Sequence, residues 1–190
     1  MLTNALIFLV STVCGLFVVA LLLRFYLQWA RAPYRNPLTE FLHALTDFMV
    51  RPVRRIVPGL WGLDLATLLL AWLIQFLELV LVLQIRGEFG PAPGAMLAMM
   101  ALLAPVLLVK IGLYIVMVTI IVQVVLSWVN PRSPVMSLLN SLSRPFLRVF
   151  QRRIPPIGNV DLSPLFALVV IQLLLILPIA WLEMTLPRLL

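Results

Sequence analysis

Residues 65–85 read LATLLLAWLIQFLELVLVLQI. The stretch holds one charge, Glu78, and neither proline nor glycine. A helix needs about 20 apolar residues to cross a hydrocarbon core of about 30 Å, so this stretch can span a membrane. Three more pass the same test: Ala5 to Trp29, broken by Ser11, Thr12, Cys14 and Arg24; Pro105 to Trp128, preceded by an apolar Met-rich run from Met96; and Leu162 to Glu183. Composition agrees. Of 190 residues 63% are hydrophobic and 11% charged, where a soluble domain carries about 25% charged residues. The chain reads as an integral membrane protein.

Fourteen Lys and Arg against seven Asp and Glu give a net charge of +7. The excess sits in two loops. Arg31, Arg35, Arg51, Arg54 and Arg55 lie between spans one and two; Arg132, Arg144, Arg148, Arg152 and Arg153 lie between spans three and four. The other side has only Arg86 and Arg188. Positive loops stay in the cytoplasm, so both basic loops are expected inside a bacterial inner (cytoplasmic) membrane and both termini outside. The same clustering argues against a nucleic-acid footprint. No basic region precedes the first span, while Arg24, Arg31 and Arg35 follow or end it, which reads as a retained anchor rather than a cleaved signal.

Shifting the chain by 97 residues aligns the loops and the spans after them without a gap. Pro37 falls on Pro134, Arg51 on Arg148, Arg55 on Arg152, Pro58 on Pro155, Asp64 on Asp161 and Gln75 on Gln172. These residues are rare enough here to mark a duplication. The expected units are residues 1–95, with spans at about 5–29 and 65–85 and a surface segment at 36–58, and residues 96–190, with spans at about 105–128 and 162–183 and a surface segment at 133–155. Two crossings per unit bring the chain back to its starting side, so the copies are parallel and not inverted.

Each surface segment opens like a helix, with Asn36-Pro37 or Ser133-Pro134 as cap and first position, and continues with apolar residues at helical spacing. Pro52 and Pro145 are expected to break or kink the segments. An apolar face opposite an arginine-bearing one suits a helix lying at the inner interface; packing on a soluble partner is the competing reading. The run from Met96 to Trp128 is too long for one upright crossing. Either it tilts, or Met96 to Ala104 lies at the outer interface with a bend at Pro105, the reading preferred here.

Asn130-Pro131-Arg132-Ser133-Pro134, Arg152-Arg153-Ile154-Pro155-Pro156-Ile157-Gly158 and Asp161-Leu162-Ser163-Pro164 resemble the signature of the YggT family. The first copy matches through Asn36-Pro37, Arg54-Arg55-Ile56-Val57-Pro58 and Asp64, and departs at Leu65-Ala66-Thr67, where the Ser-Pro element is missing. The resemblance implies a tandem-repeat membrane protein without established enzymatic chemistry. Bacterial members are associated with osmotic or cation stress and division-linked gene neighbourhoods, and plastid relatives with thylakoid cofactor assembly and nucleoid distribution.

Several residues invite a functional reading. Asp64 and Asp161 precede spans and suit helix caps; a sharper role adds ion pairs to Arg55 and Arg152. Arg51 with Arg55, and Arg148 with Arg152, share a helix face, either as topology signals or as contacts to anionic lipid headgroups at the inner leaflet. Gln75 and Gln172 near mid-span suit interhelical hydrogen bonds or a polar path. Glu78 lies about 10 Å deep and is a functional candidate by default, with Lys110 as its named partner unless Lys110 snorkels. Neither has a charged counterpart at the 97-residue shift. His43 and Cys14 read as incidental residues, and the eight methionines as packing. No cofactor or metal is expected, since one histidine and one cysteine supply no ligand set.

The expectation is therefore an all-α protein of four transmembrane helices in two parallel repeats, each with an amphipathic interfacial helical segment. The leading function is a non-catalytic scaffold or assembly factor whose partners are membrane lipids, other membrane proteins or a second copy. The alternative is a small cation channel or transporter using Glu78, Gln75 and Gln172.

Overall fold

The structure, a computed structural model, describes residues 1–33, 36–59, 63–88, 90, 92–153 and 161–188. Four helices are long and apolar enough to cross a membrane: α1 (Leu2–Trp29), α3 (Leu65–Arg86), α4 (Pro93–Val129) and the run Ser163–Thr185. The last is α6 (Ser163–Leu174), a π-helical turn (Leu175–Ile179) and α7 (Ala180–Thr185). Pro178 sits inside the π turn; it has no N–H to return to Leu174, and the wider turn accommodates the missing bond. Two further helices fill the basic loops, α2 (Pro37–Ile56) and α5 (Val135–Gln151).

Two cores hold the helices together. One joins α1, α3 and the middle of α4 around Val18, Leu21, Ala71, Ile74 and Leu108, with Val50 of α2 beneath them. The other gathers the C-terminal end of α1 with α4, α5 and α6 around Tyr26, Ile120, Leu142, Ala167 and Ile171. Tyr26 also donates a hydrogen bond to the Leu142 carbonyl, and its ring and that of Trp29 lie against Phe146. The first copy is thereby fastened to the second.

Pro105 does not divide this span into two helices. α4 is one helix of 37 residues with Pro105 inside it, about 55 Å long. Proline removes the bond to the carbonyl four residues earlier, that of Ala101. The Trp72 indole N–H of α3 donates to that carbonyl at 3.1 Å, so the lost bond is replaced from a neighbouring helix. Nor do Pro52 and Pro145 end their helices; both lie inside α2 and α5. The first cap is as read, with Asn36 Oδ1 accepting from Thr39 N–H at 2.8 Å. The second differs: α5 starts one residue later and has no side-chain cap of that kind, Ser133 Oγ accepting only from Val135 N–H at 3.4 Å.

Candidate functional site

The polar chemistry concentrates where the C-terminal end of α1 meets α2. Arg24 sits in the last two turns of α1 and is 4% exposed. A buried guanidinium needs a partner, and α2 supplies two on one turn. Arg24 Nη1 donates to Thr46 Oγ1 and to Asp47 Oδ1, both at 2.7 Å. Asp47 also takes Arg51 Nη2 at 2.7 Å and stands 3.4 Å from His43 Nδ1. Burial pushes the Asp47 carboxyl up, but Arg24, with His43 and Arg51, outweighs it and holds the group down at about 2. From the sequence Arg24 reads as an interruption of the first span and part of its basic flank, with no partner named. The available signal was an ionisable residue inside an apolar helix, with Asp47 one turn before Arg51 on the neighbouring segment.

A cavity of about 300 Å³ opens beside this network, bounded by α1 and α2. Arg24, Arg31, His43 and Arg54 line it, with Thr39 and Leu42.

Asp64 closes the other end of α2. Its carboxylate caps α3 by accepting from Thr67 N–H at 3.3 Å, and it also accepts from the Thr67 hydroxyl and from Arg54. Burial raises its pKa and the bonds from Arg54 and Thr67 lower it by more, leaving it below the usual carboxylate range. In the second copy Asp161 accepts from Ser163 N–H at 2.8 Å and from the Gln151 amide at 2.9 Å. Here too burial raises the pKa, while Ser163 and Gln151 bring it below the usual value. The expected pairs are thus corrected by one residue in each copy: the partners are Arg54 and Gln151, each ten residues before its aspartate, and not Arg55 and Arg152.

The intramembrane set is also rearranged. Lys110 does not pair with Glu78. It donates to both carboxylate oxygens of Glu183 at 2.8 Å, joining α4 to α7. Glu78 instead accepts from Gln75 Nε2 at 3.0 Å, one turn earlier on α3. Gln75 is 4% exposed, and its Oε1 is buried without a donor. Its counterpart Gln172 is exposed on α6, so the two glutamines are equivalent in sequence and opposite in environment.

A family model described as CCB3/YggT matches residues 3–85 and again 100–182. The chain belongs to the CCB3/YggT family. The two matched ranges are offset by 97 residues, the shift that aligns the rare prolines, arginines and aspartates. An uncharacterised protein of Pseudomonas aeruginosa is 36% identical over 175 residues, 91% of this chain and 87% of its own. YggT of Escherichia coli, also uncharacterised, is 34% identical over 172 residues, 90% of this chain and 87% of its own. The chloroplast YlmG homolog protein 2 of Arabidopsis thaliana is 37% identical over 54 residues, 28% of this chain and 22% of its own. No solved structure matches the chain.

In this CCB3/YggT chain the motif residues mark helix ends. Pro37 is the first residue of α2 and Pro134 immediately precedes α5. Ser163 is buried at the start of α6, with Pro164 next to it. Pro58 is exposed just beyond α2, and Pro155 lies outside the described residues, as do Arg35 and the rest of 154–160. Arg51, Arg55, Arg148 and Arg152 are all exposed. Cys14 is half-buried beside the α1–α3 core.

Proposed function

We propose that this chain is a non-catalytic organising protein of the bacterial cytoplasmic membrane, with α2 and α5 lying against the inner leaflet. The observation that carries the reading is the division of these two helices. Leu42 and Val50 on α2, and Leu138, Leu142 and Leu147 on α5, are buried against the bundle, while Arg51, Arg55, Arg148 and Arg152 are exposed. Ten loop arginines against two favour the cytoplasmic side for both. Each basic residue near an anionic surface contributes about 1 kcal/mol, enough for four to hold lipid headgroups or an acidic partner. A role in osmotic or cation stress follows only from the family resemblance.

The intramembrane polar groups support a scaffold over a conduit, because they are used in separate local pairs: Gln75 with Glu78, Lys110 with Glu183. One observation favours the cation-pathway reading, the buried Gln75 Oε1 without a donor beside the Glu78 carboxylate. Ion flux in reconstituted vesicles decides between them. A scaffold gives no flux, and Arg148→Glu with Arg152→Glu weakens its retention of anionic lipid. Cation flux that Glu78→Gln abolishes overturns the scaffold.

A further inference from the structure

The cavity between α1 and α2 has a mixed lining: Arg24, Arg31, Arg54 and His43 bring positive charge and polar N–H groups, and Leu27 and Leu42 are apolar. None of the described lining residues is acidic. Two carboxylates hold these arginines, Asp47 on Arg24 and Asp64 on Arg54, and Arg51 shares Asp47. Four arginines thus meet two aspartates, leaving two positive charges in surplus before His43 is counted. The partial negative charge at the C-terminal end of α1, about half a unit, does not cancel them.

Two further observations point to an anion. Both side-chain bonds from Arg24 leave from Nη1, and its Nε–H is buried without an acceptor, so the charge of this 96% buried group is met on one side only. Arg31 stands at φ 51°, the left-handed region that glycine adopts freely and other residues enter at a cost. It occupies the position after the cap of α1, where Arg31 N–H reaches the Gln28 carbonyl at 3.1 Å and Ala32 N–H the Leu27 carbonyl at 3.0 Å. This helix ending usually takes glycine at that position. Here it takes an arginine with no acidic partner among the described residues, and the arginine lines the cavity.

We propose that this cavity binds the phosphate group of an anionic ligand. Arg31 would supply a guanidinium fork that matches phosphate oxygens, Thr39 a further hydrogen bond, and Arg24 and Arg54, each held by its aspartate, fixed positive charge beside it. A phospholipid headgroup and a free phosphate share this chemistry; the apolar lining residues Leu27 and Leu42 suit the glycerol end of a lipid. The proposal rests on the inner-leaflet placement of α2 given above, but it names a pocket that Arg51, Arg55, Arg148 and Arg152 do not line.

The test uses the full chain in neutral detergent and follows thermal unfolding. Phosphatidylglycerol is titrated against phosphatidylcholine in mixed micelles, and inorganic phosphate against chloride at equal ionic strength. Phosphatidylglycerol is expected to raise the melting temperature where phosphatidylcholine does not. Arg31→Gly is expected to melt no lower than wild type without ligand, because glycine relieves the left-handed strain, yet to need about tenfold more lipid for the same shift. Arg31→Gln gives the same loss without the relief. A shift from inorganic phosphate that Arg31→Gly weakens likewise supports the site and makes its ligand a soluble phosphate. No response to either anion overturns the proposal. So does wild-type binding by Arg31→Gly; if Arg148→Glu with Arg152→Glu is then the variant that loses lipid, the surface reading survives the failure of the pocket.

Discussion

Thr46 and Ser143 occupy the same place in the two copies, 97 residues apart. Both are fully buried, and both turn the hydroxyl back onto a carbonyl one turn earlier, Leu42 at 2.6 Å and Leu139 at 2.8 Å. Around this common point the copies diverge. In the first, Arg24 reaches across to Thr46 and Asp47. In the second, the positions of Arg24 and Asp47 hold Ile121 and Arg144, both exposed. The caps diverge in the same sense: Asp64 is buried and ion-paired, Asp161 exposed and bonded to a neutral amide. The duplicated unit therefore needs small hydroxyl back-bonds and a capping aspartate in both copies, whereas among the described residues the charged network between the first span and its surface helix is found in the first copy.

The strongest way to break that contrast is at Asp47. Removing one partner of a buried ion pair leaves an uncompensated charge, at a cost of about 3–5 kcal/mol. Asp47→Ala should lose stability of that order in chemical unfolding, while Arg144→Ala should change it by less than about 0.5 kcal/mol. Adding Arg24→Ile, the residue type found in the second copy, should recover most of the loss. Equal costs for the two single variants would show that the first copy is not specialised. Acid probes the same group. Its carboxyl titrates near 3.8 when unfolded and at about 2 when folded, so its contribution is present above about pH 4 and disappears as the pH falls through 2. The pKa difference is worth about 2 kcal/mol. Asp47→Ala should flatten the stability profile in that window.

The spans were legible because hydrocarbon thickness imposes a length that leucine-rich stretches either meet or miss. The repeat was legible through residues that duplication keeps and chance rarely matches, such as Arg51 with Arg148 and Asp64 with Asp161. Asn36 was legible as a cap because its partner is three residues away. What failed depended on helices meeting in space. Trp72 lies 29 residues before Ala101 and donates to its carbonyl, the acceptor that Pro105 leaves without a partner. Lys110 chose Glu183, 73 residues away, because α4 runs beside α7. The aspartate partners were missed by one position, since a helix face rotates by 100° per residue; aligning Arg54 with Gln151 at the 97-residue shift was the unused clue.

A smaller effect separates the two caps. Asp64→Ala removes a cap and an ion pair together and should cost about 2 kcal/mol or more, whereas Asp161→Ala removes a cap and should cost about 1 kcal/mol. The asparagine variants sharpen the difference. Asparagine still accepts from backbone N–H groups, so Asp161→Asn should be close to wild type in thermal unfolding. Asp64→Asn should not be, because it leaves Arg54 without its charge partner. If both asparagine variants are tolerated, the Arg54 pair contributes little and the first copy differs from the second at Arg24 only.

The smallest expected effect, at the mid-span glutamines, tests what lies outside the molecule. Gln75 is enclosed by the bundle and bonded to Glu78, and hydrogen bonds of this kind inside membranes contribute about 0.6 kcal/mol on average. Gln75→Leu should therefore lose a fraction of a kcal/mol, offset in part by removing an oxygen that has no donor. Gln172 faces outward on α6. If that face meets lipid, Gln172→Leu exchanges an amide in hydrocarbon for an apolar side chain, and stability should stay level or rise. If instead it meets another copy of the chain, the same change removes an interhelical hydrogen bond, and cross-linking in the membrane should show fewer dimers. A fall in dimers would make the exposed α6 face an interface, and the asymmetry between Gln75 and Gln172 would then mark where one copy buries its glutamine alone and the other buries it against a neighbour.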